Sequence, residues 1–267
     1  MATLVCFHAH PDDEAIATGG LMLRASRSGH RVVLVCATRG EVGEPQDGVL
    51  NDGELLAERR VQELVEACEI LGAEPPRFLG YEDSGMIGEP TNDNPACFWQ
   101  ADHDEAVDRM AAILREVEAD VVTIYDDHGG YGHPDHIQVH RVGLAAARQV
   151  GVEHIYEATI NRTRAIERMK QAIESGAIPE EDARDFEDDP DFGMVEEDLS
   201  YLVDVSALAA EKKAAIAIHR SQVGPESFFI AMPDEAFADF FGFESFALPG
   251  IRGTGGPEHV KILPGLE

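Results

Sequence analysis

Lysine is nearly absent from this chain. Four Lys stand beside seventeen Arg, and 21 basic residues face 51 Asp and Glu over 267 positions, a formal net charge of −30. Nucleic acid and anionic membranes are bound by basic side chains that replace counterions, so both are excluded as partners. The excess of carboxylate fits a saline cytoplasm or a high-GC genome and says little about chemistry. Long apolar runs are missing too, none approaching the roughly 20 residues that span a bilayer. The N-terminus opens on a strand-like segment, not on the basic start and apolar core of a secretory signal, so a cytoplasmic protein is expected. Cysteine is sparse. Cys6 and Cys36 fall in strand-like runs, Cys68 in a helical one, and no CxxC spacing occurs. These three read as reduced core residues. Cys97, in the loop Asn92 to Cys97, is the one expected at the surface. A GxGxxG turn after the first strand is lacking, which argues against a dinucleotide-binding protein.

What is present is alternation. Thr3 to His8 reads as a strand, Ala15 to Ser28 as a helix ending near Gly29, and Arg31 to Cys36 as a second strand. Leu55 to Leu71 repeats apolar residues at helical spacing and stops at Gly72. Phe78-Leu79 begins a short strand, Asp104 to Val117 is a helix, and Asp120 to Tyr125 is a buried strand. Strands separated by helices predict an α/β fold, a Rossmann-like, mostly parallel sheet flanked by helices with right-handed crossovers. The length suits one domain, 1–267, comprising a core over 1–160 and a smaller C-terminal extension over 161–267.

Two motifs about 120 residues apart carry the chemistry: His10-Pro11-Asp12-Asp13-Glu14 and Gly132-His133-Pro134-Asp135-His136. Each follows a predicted strand, so both loops open at the carboxyl ends of the sheet, where open α/β sheets place their sites. A single His-Pro-Asp is ordinarily a turn whose Asp caps the next helix; two of them, each after a strand, favour a metal centre. A hydrolytic zinc takes about three nitrogen or oxygen ligands and keeps one position open, and His10, Asp13 and His136 supply that set. Asp12, beside ligand Asp13 but turned away from it, is the general-base candidate. His133 faces the substrate to stabilise an oxyanion or protonate the leaving amine, and Asp135 is expected to orient His133. His140, one helical turn beyond His136, competes as a ligand with a helix-face or supporting role. The other histidines read as surface or hydrogen-bonded residues, with His128 and His219 as candidates to line the pocket.

The same residues resemble a family. Ala9 to Glu14 and Gly130 to His136, with Thr38-Arg39-Gly40-Glu41 and Asp83-Ser84-Gly85-Met86, are similar to the LmbE-like or PIG-L zinc-dependent de-N-acetylases, and within them to the mycothiol-pathway deacetylases and conjugate amidases. The likeness runs with gaps from about residue 2 to about 160, with a weaker echo over Lys213 to Gln222. It implies His10, Asp13 and His136 as zinc ligands, Asp12 as base, His133 as the group stabilising the tetrahedral intermediate and Tyr131 as an assisting tyrosine. It also implies Arg60, or its neighbour Arg59, and Asp83 as contacts to sugar and inositol hydroxyls.

Beyond residue 150 the signals thin. Residues 162 to 175 read as a helix, and Ile178 to Leu199 hold eleven carboxylates and one Arg, the composition of a solvated loop or lid edge. Seven of twelve Phe lie between 221 and 247; core packing is the default reading, against a substrate lid or oligomer face. Substrate choice is expected in the loops 41–53, 81–103 and 221–250. The expectation is a metal-dependent hydrolase of an N-acetylglucosamine-containing small molecule. Zinc is the default, with Fe(II) or another divalent ion accepting the same ligands. Amide hydrolysis in thiol conjugates is the near alternative and a metal- or sugar-binding module without turnover the distant one; homo-oligomerisation is left open.

Overall fold

The computed structural model describes residues 1–174, 189 and 192–267. Its first half alternates strand and helix: β1 (Thr3–His8), α1 (Asp13–Ala17), α2 (Gly19–Arg27), β2 (Arg31–Cys36), α3 (Leu56–Leu71), β3 (Arg77–Phe78), α4 (His103–Val117), β4 (Val121–Tyr125), a turn α5 (Gly129–Gly132), α6 (Pro134–Val150) and β5 (His154–Thr159). Then follow α7 (Arg162–Glu174), β6 (Tyr201–Asp204), α8 (Ala209–Ile218), α9 (Phe228–Ala231), α10 (Asp234–Phe241), β7 (Phe243–Ala247) and β8 (Glu258–Val260). One sheet gathers these strands in the order β3-β2-β1-β4-β5-β7-β6-β8. β3 to β5 pair in parallel throughout, and β7 alone runs against its neighbours β5 and β6. The mostly parallel α/β sheet is therefore present, and it continues through residues 201–260.

The period-2 alternation of β1 divides the core. Leu4 and Cys6 point into one apolar layer with α2, α3, α8 and α10, while Val5 and Phe7 point into the other with α4 and α6. A strand buried on both faces reads as the continuous apolar run seen in the sequence. From β1 the chain crosses to β2 on one side and later returns to β4 on the other, so the loops after β1 and β4 open at a topological switch point.

Three local expectations change. Ala15 to Ser28 is two helices, broken at Thr18, whose backbone (φ −134°, ψ 9°) is non-helical. The break comes from far along the chain. Glu244 on β7 accepts hydrogen bonds from Gly20 N (2.7 Å) and Leu21 N (2.8 Å), capping α2 with a buried carboxylate that Lys212 Nζ also meets at 2.7 Å. A Cβ on Gly20 would lie 2.5 Å from Val205, so only glycine lets α2 approach this closely. Cys97 is fully buried, since short 3₁₀ turns over Pro90–Asp93 and Phe98–Gln100 fold its loop inward. Asp126 to His136 is no plain loop, because α5 and the start of α6 lie within it.

The Phe-rich segment divides its roles. Phe237 and Phe246 are core, Phe229 and Phe241 pack against it, and Phe228 is 44% exposed. Most of the acidic stretch 178–199 lies outside the described residues. Among the described residues, no helix is long and apolar enough to cross a membrane.

Removing one partner of a buried ion pair strands the other charge. Lys212→Met is therefore expected to lower unfolding free energy by about 3–5 kcal/mol, read as a fall in the urea midpoint.

Candidate active site

Three donor atoms meet between the carboxyl ends of β1 and β4. Asp13 Oδ2 lies 3.5 Å from His10 Nδ1 and 3.5 Å from His136 Nε2. Donors held by one tetrahedral ion at zinc bond lengths stand about 3.3 Å apart, so Asp13 stands near that spacing from each imidazole, and His10 and His136 also cluster with His133, one donor nitrogen of each lying within 4.8 Å of the others. The outward nitrogens are engaged: His10 Nε2 lies 3.1 Å from Asp135 Oδ2, and His136 Nδ1 lies 3.2 Å from the Gly129 carbonyl. Such partners fix tautomers and leave the other nitrogen free to ligate. Burial would lower the pKa of His10, but the carboxylates of Asp13, Asp135 and Asp83 hold it well above the usual value. Burial would raise Asp13, yet His136 and His10 hold it well below. The pocket stabilises positive charge where the three donors converge, which is the electrostatics a cation needs.

Asp12 faces another way because its backbone is unusual. With φ at 101° it is one of two non-glycine residues at positive φ among the described residues. That conformation costs on the order of 1–3 kcal/mol. Glu14 holds it: its Oε2 accepts from Asp12 N at 2.9 Å, and its Oε1 meets His219 Nε2 at 2.8 Å. The Asp12 carboxylate meets Arg60, while that of Asp13 meets His10 and His136. Burial pushes the Asp12 carboxyl up to about 6, against the pull of Arg60, the range of a base that both takes and returns a proton near neutrality.

Arg60, reaching in from α3, is 4% exposed. Its guanidinium donates to the carbonyls of Gly40 and Pro11 and stands 3.4 Å from Asp12 Oδ2. A Cβ on Gly40, where φ is +68°, would lie 2.1 Å from that guanidinium, so glycine is required there for both conformation and space. Arg59 pairs instead with Glu54. Asp83 accepts from Gly85 N at 2.9 Å and lies 3.4 Å from His10 Nε2.

His133 caps α6, its Nδ1 accepting from Asp135 N at 3.1 Å. The proton of the neutral ring therefore sits on Nε2, and burial together with His10 and His136 pushes the imidazole down to about 3, neutral at physiological pH. Here the structure departs from expectation. The Asp135 side chain orients not His133 but His10, and it is anchored by Ser84, whose N–H (3.0 Å) and hydroxyl both donate to it. In α6 the Asp135 backbone N–H turns toward His133 while the carboxylate turns toward β1. Tyr131 lies with its hydroxyl 3.4 Å from His136 Nε2 and is 39% exposed.

His140 does not join the cluster. Its Nδ1 lies 3.1 Å from the Tyr125 carbonyl and 3.5 Å from Glu157. His128 meets Asp127 and the Gly193 carbonyl, and His219 is fully buried against Glu14, so neither lines the cavities described next. The sequence reading also left Glu14, Ser84 and Tyr125 without roles. The first two stood inside quoted motifs, but nothing along the chain gives their distant partners.

Two cavities flank Tyr131. A polar one of about 220 Å³ is lined by His10, Asp12, Arg60, Asp83, Glu89 and His133, among others. An apolar one of about 190 Å³ lies across Asp13 and His136, walled by Ile16, Tyr131, Arg164, Phe240, Phe241 and Phe243 among others. The loops at 42–43 and 83–89 and the α10–β7 junction over 240–245 thus supply cavity walls.

Residues 5–147 match the family model PIG-L, described as GlcNAc-PI de-N-acetylase. The 1D-myo-inositol 2-acetamido-2-deoxy-α-D-glucopyranoside deacetylase of Acidothermus cellulolyticus is 38% identical over 266 residues, covering 96% of this chain and 90% of that protein. The protein of the same name from Thermomonospora curvata is 40% identical over 287 residues, covering 97% and 96%. Among solved structures, the N,N′-diacetylchitobiose deacetylase of Pyrococcus horikoshii superposes with a TM-score of 0.60 at 21% identity, covering 93% of this chain and 84% of that one, a likeness of fold alone. With a matched segment that spans more than half its length and near-full-length relatives of this similarity, the chain belongs to the PIG-L family of de-N-acetylases.

Proposed function

We propose that this protein hydrolyses the N-acetyl group of an N-acetylglucosaminyl-inositol, releasing acetate and the free amine. One observation carries the reading: a kinked, half-buried Asp12 stands beside Asp13, which meets both His10 and His136, at the edge of a polar cavity. The names of the relatives support the substrate class. Two imidazoles and one carboxylate suit zinc, which when bound polarises an acyl oxygen and lowers the pKa of a water.

The remaining work falls to the chain. Asp12 takes a proton from the attacking water, and the oxygen adds to the acetyl carbon. The Nε2–H of neutral His133 donates to the oxyanion, and the Tyr131 hydroxyl, within reach of the same space, assists. As the C–N bond breaks, Asp12 returns its proton to the departing amine. Asp83 accepts from sugar hydroxyls and Arg60 donates to them, while Arg60 also restrains the Asp12 pKa. Asp135 keeps His10 turned toward the ion.

A base must be ionised, so kcat/KM is expected to fall as pH drops through about 6, the range to which burial lifts Asp12. Arg60 pulls that carboxyl down, and Arg60→Gln is therefore expected to move the acidic limb of the profile to higher pH. An unmoved limb would separate Arg60 from the base.

The apolar cavity favours a second reading in which bulkier acyl groups, as in thiol conjugates, are cleaved at the same centre. Amine release from N-acetyl- and N-hexanoyl-glucosaminyl-inositol and from N-acetylglucosamine tests both. Preference for the N-acetyl inositol supports the deacetylase, comparable hexanoyl turnover supports the second reading, and inertness of a metal-loaded protein on all three overturns both.

A further inference from the structure

We propose that Tyr125 is a positioning residue for the metal centre, aligning His136 by ring stacking and itself held by a buried relay through His8 and Thr18. The Tyr125 ring lies over the His136 imidazole with centroids 4.2 Å apart and planes 7° from parallel. Its hydroxyl is 2.8 Å from His8 Nδ1, and His8 Nε2 is 2.8 Å from Thr18 Oγ1. Thr18 Oγ1 in turn reaches the Glu14 carbonyl at 3.3 Å.

The Tyr125 hydroxyl also faces the Asp13 carboxylate, and the contacts of His8 and Thr18 admit a consistent direction through the chain. A carbonyl only accepts, so the Thr18 hydroxyl donates to it and accepts a hydrogen bond from His8 Nε2–H. His8 Nδ1 then bears a lone pair, which accepts the Tyr125 O–H. Every member is satisfied, and Tyr125, His8 and Thr18 are 5%, 1% and 0% exposed. A satisfied buried network specifies one arrangement.

Its location gives the relay a task. The β1–β4 ladder runs Leu4 to Val121, Val5 to Val122 and Cys6 to Thr123; extended by two residues, the same register sets His8 opposite Tyr125. Where the backbone ladder ends and the strands part to form the site, the side-chain bond holds them at a fixed separation. Thr18, at the other end, is the junction of α1 and α2, and α1 begins with ligand Asp13. The relay therefore ties the support of Asp13 to the face of His136. A phenylalanine would fill the same space without the tether.

The inference rests on His10, Asp13 and His136 holding the ion, which His136→Ala tests separately. Zinc affinity is measured by chelator competition, and the visible spectrum of the Co(II)-substituted protein reports coordination geometry. Tyr125→Phe keeps the ring and loses the tether; it is expected to weaken zinc binding about tenfold and to shift the cobalt bands. Tyr125→Leu removes both and is expected to weaken it about 100-fold, the range found when partners of metal ligands are removed. Variants that fold and show wild-type affinity and an unchanged cobalt spectrum overturn the proposal. A loss confined to Tyr125→Leu overturns the relay. Undiminished zinc binding by His136→Ala overturns the ligand set itself and the proposal with it.

Discussion

Asp12→Asn is expected to lower kcat by about 10²–10⁴-fold with bound metal unchanged. Asn matches Asp in shape and is among the few residues at ease at positive φ, so the turn at φ 101° survives, as does the backbone N–H that Glu14 holds. What is lost is the group that accepts the proton. The acidic limb of the pH profile should vanish along with it, since the carboxyl lifted to about 6 is gone. Metal content matters to the reading, because Asp13, one residue away, is the carboxylate at ligand distance from both histidines. Activity retained in the Asn variant would mean that the water loses its proton elsewhere.

The second large effect is metal dependence. His136→Ala removes the nitrogen that faces Asp13 Oδ2, and the protein is expected to purify with substoichiometric metal and to lose about 10³-fold or more in kcat/KM, the several kcal/mol that a Lewis acid supplies. Chelation of the wild type should abolish turnover, and readdition of Zn(II), Fe(II) and Co(II) in turn would show which ion supports it best. A chelated protein that keeps working sinks the metal reading. His10→Ala is the less clean variant, because it also strands the buried carboxylates of Asp135 and Asp83.

The sheet was legible in the sequence because strands buried on both faces read as unbroken apolar runs, and β1, β2 and β4 are such runs. The His10 and His136 loops were legible because each follows one of them. Partners that meet only in space were not. Thr18 reads as mid-helix along the chain, but Glu244, 224 positions beyond Gly20, caps the following turn. Asp135 was read with its sequence neighbour His133, whereas its carboxylate crosses 125 positions to His10. Cys97 sat among turn-forming residues and looked exposed; Phe98 and the surrounding 3₁₀ turns bury it. Glu14 lay within the motif, but its part in holding Asp12 depends on His219, on the far side of the chain.

The Glu244 cap also bears on when this protein becomes an enzyme. A chain leaves the ribosome N-terminus first at about 5–20 residues per second, so the helix pair that begins with Asp13 waits roughly 10–45 s for the carboxylate that secures Gly20 and Leu21. β1, β2 and β4 are synthesised long before, carrying the histidines and aspartates with them. A nascent chain can therefore hold every proposed catalytic side chain while still lacking the β7 carboxylate that caps α2 behind Asp13.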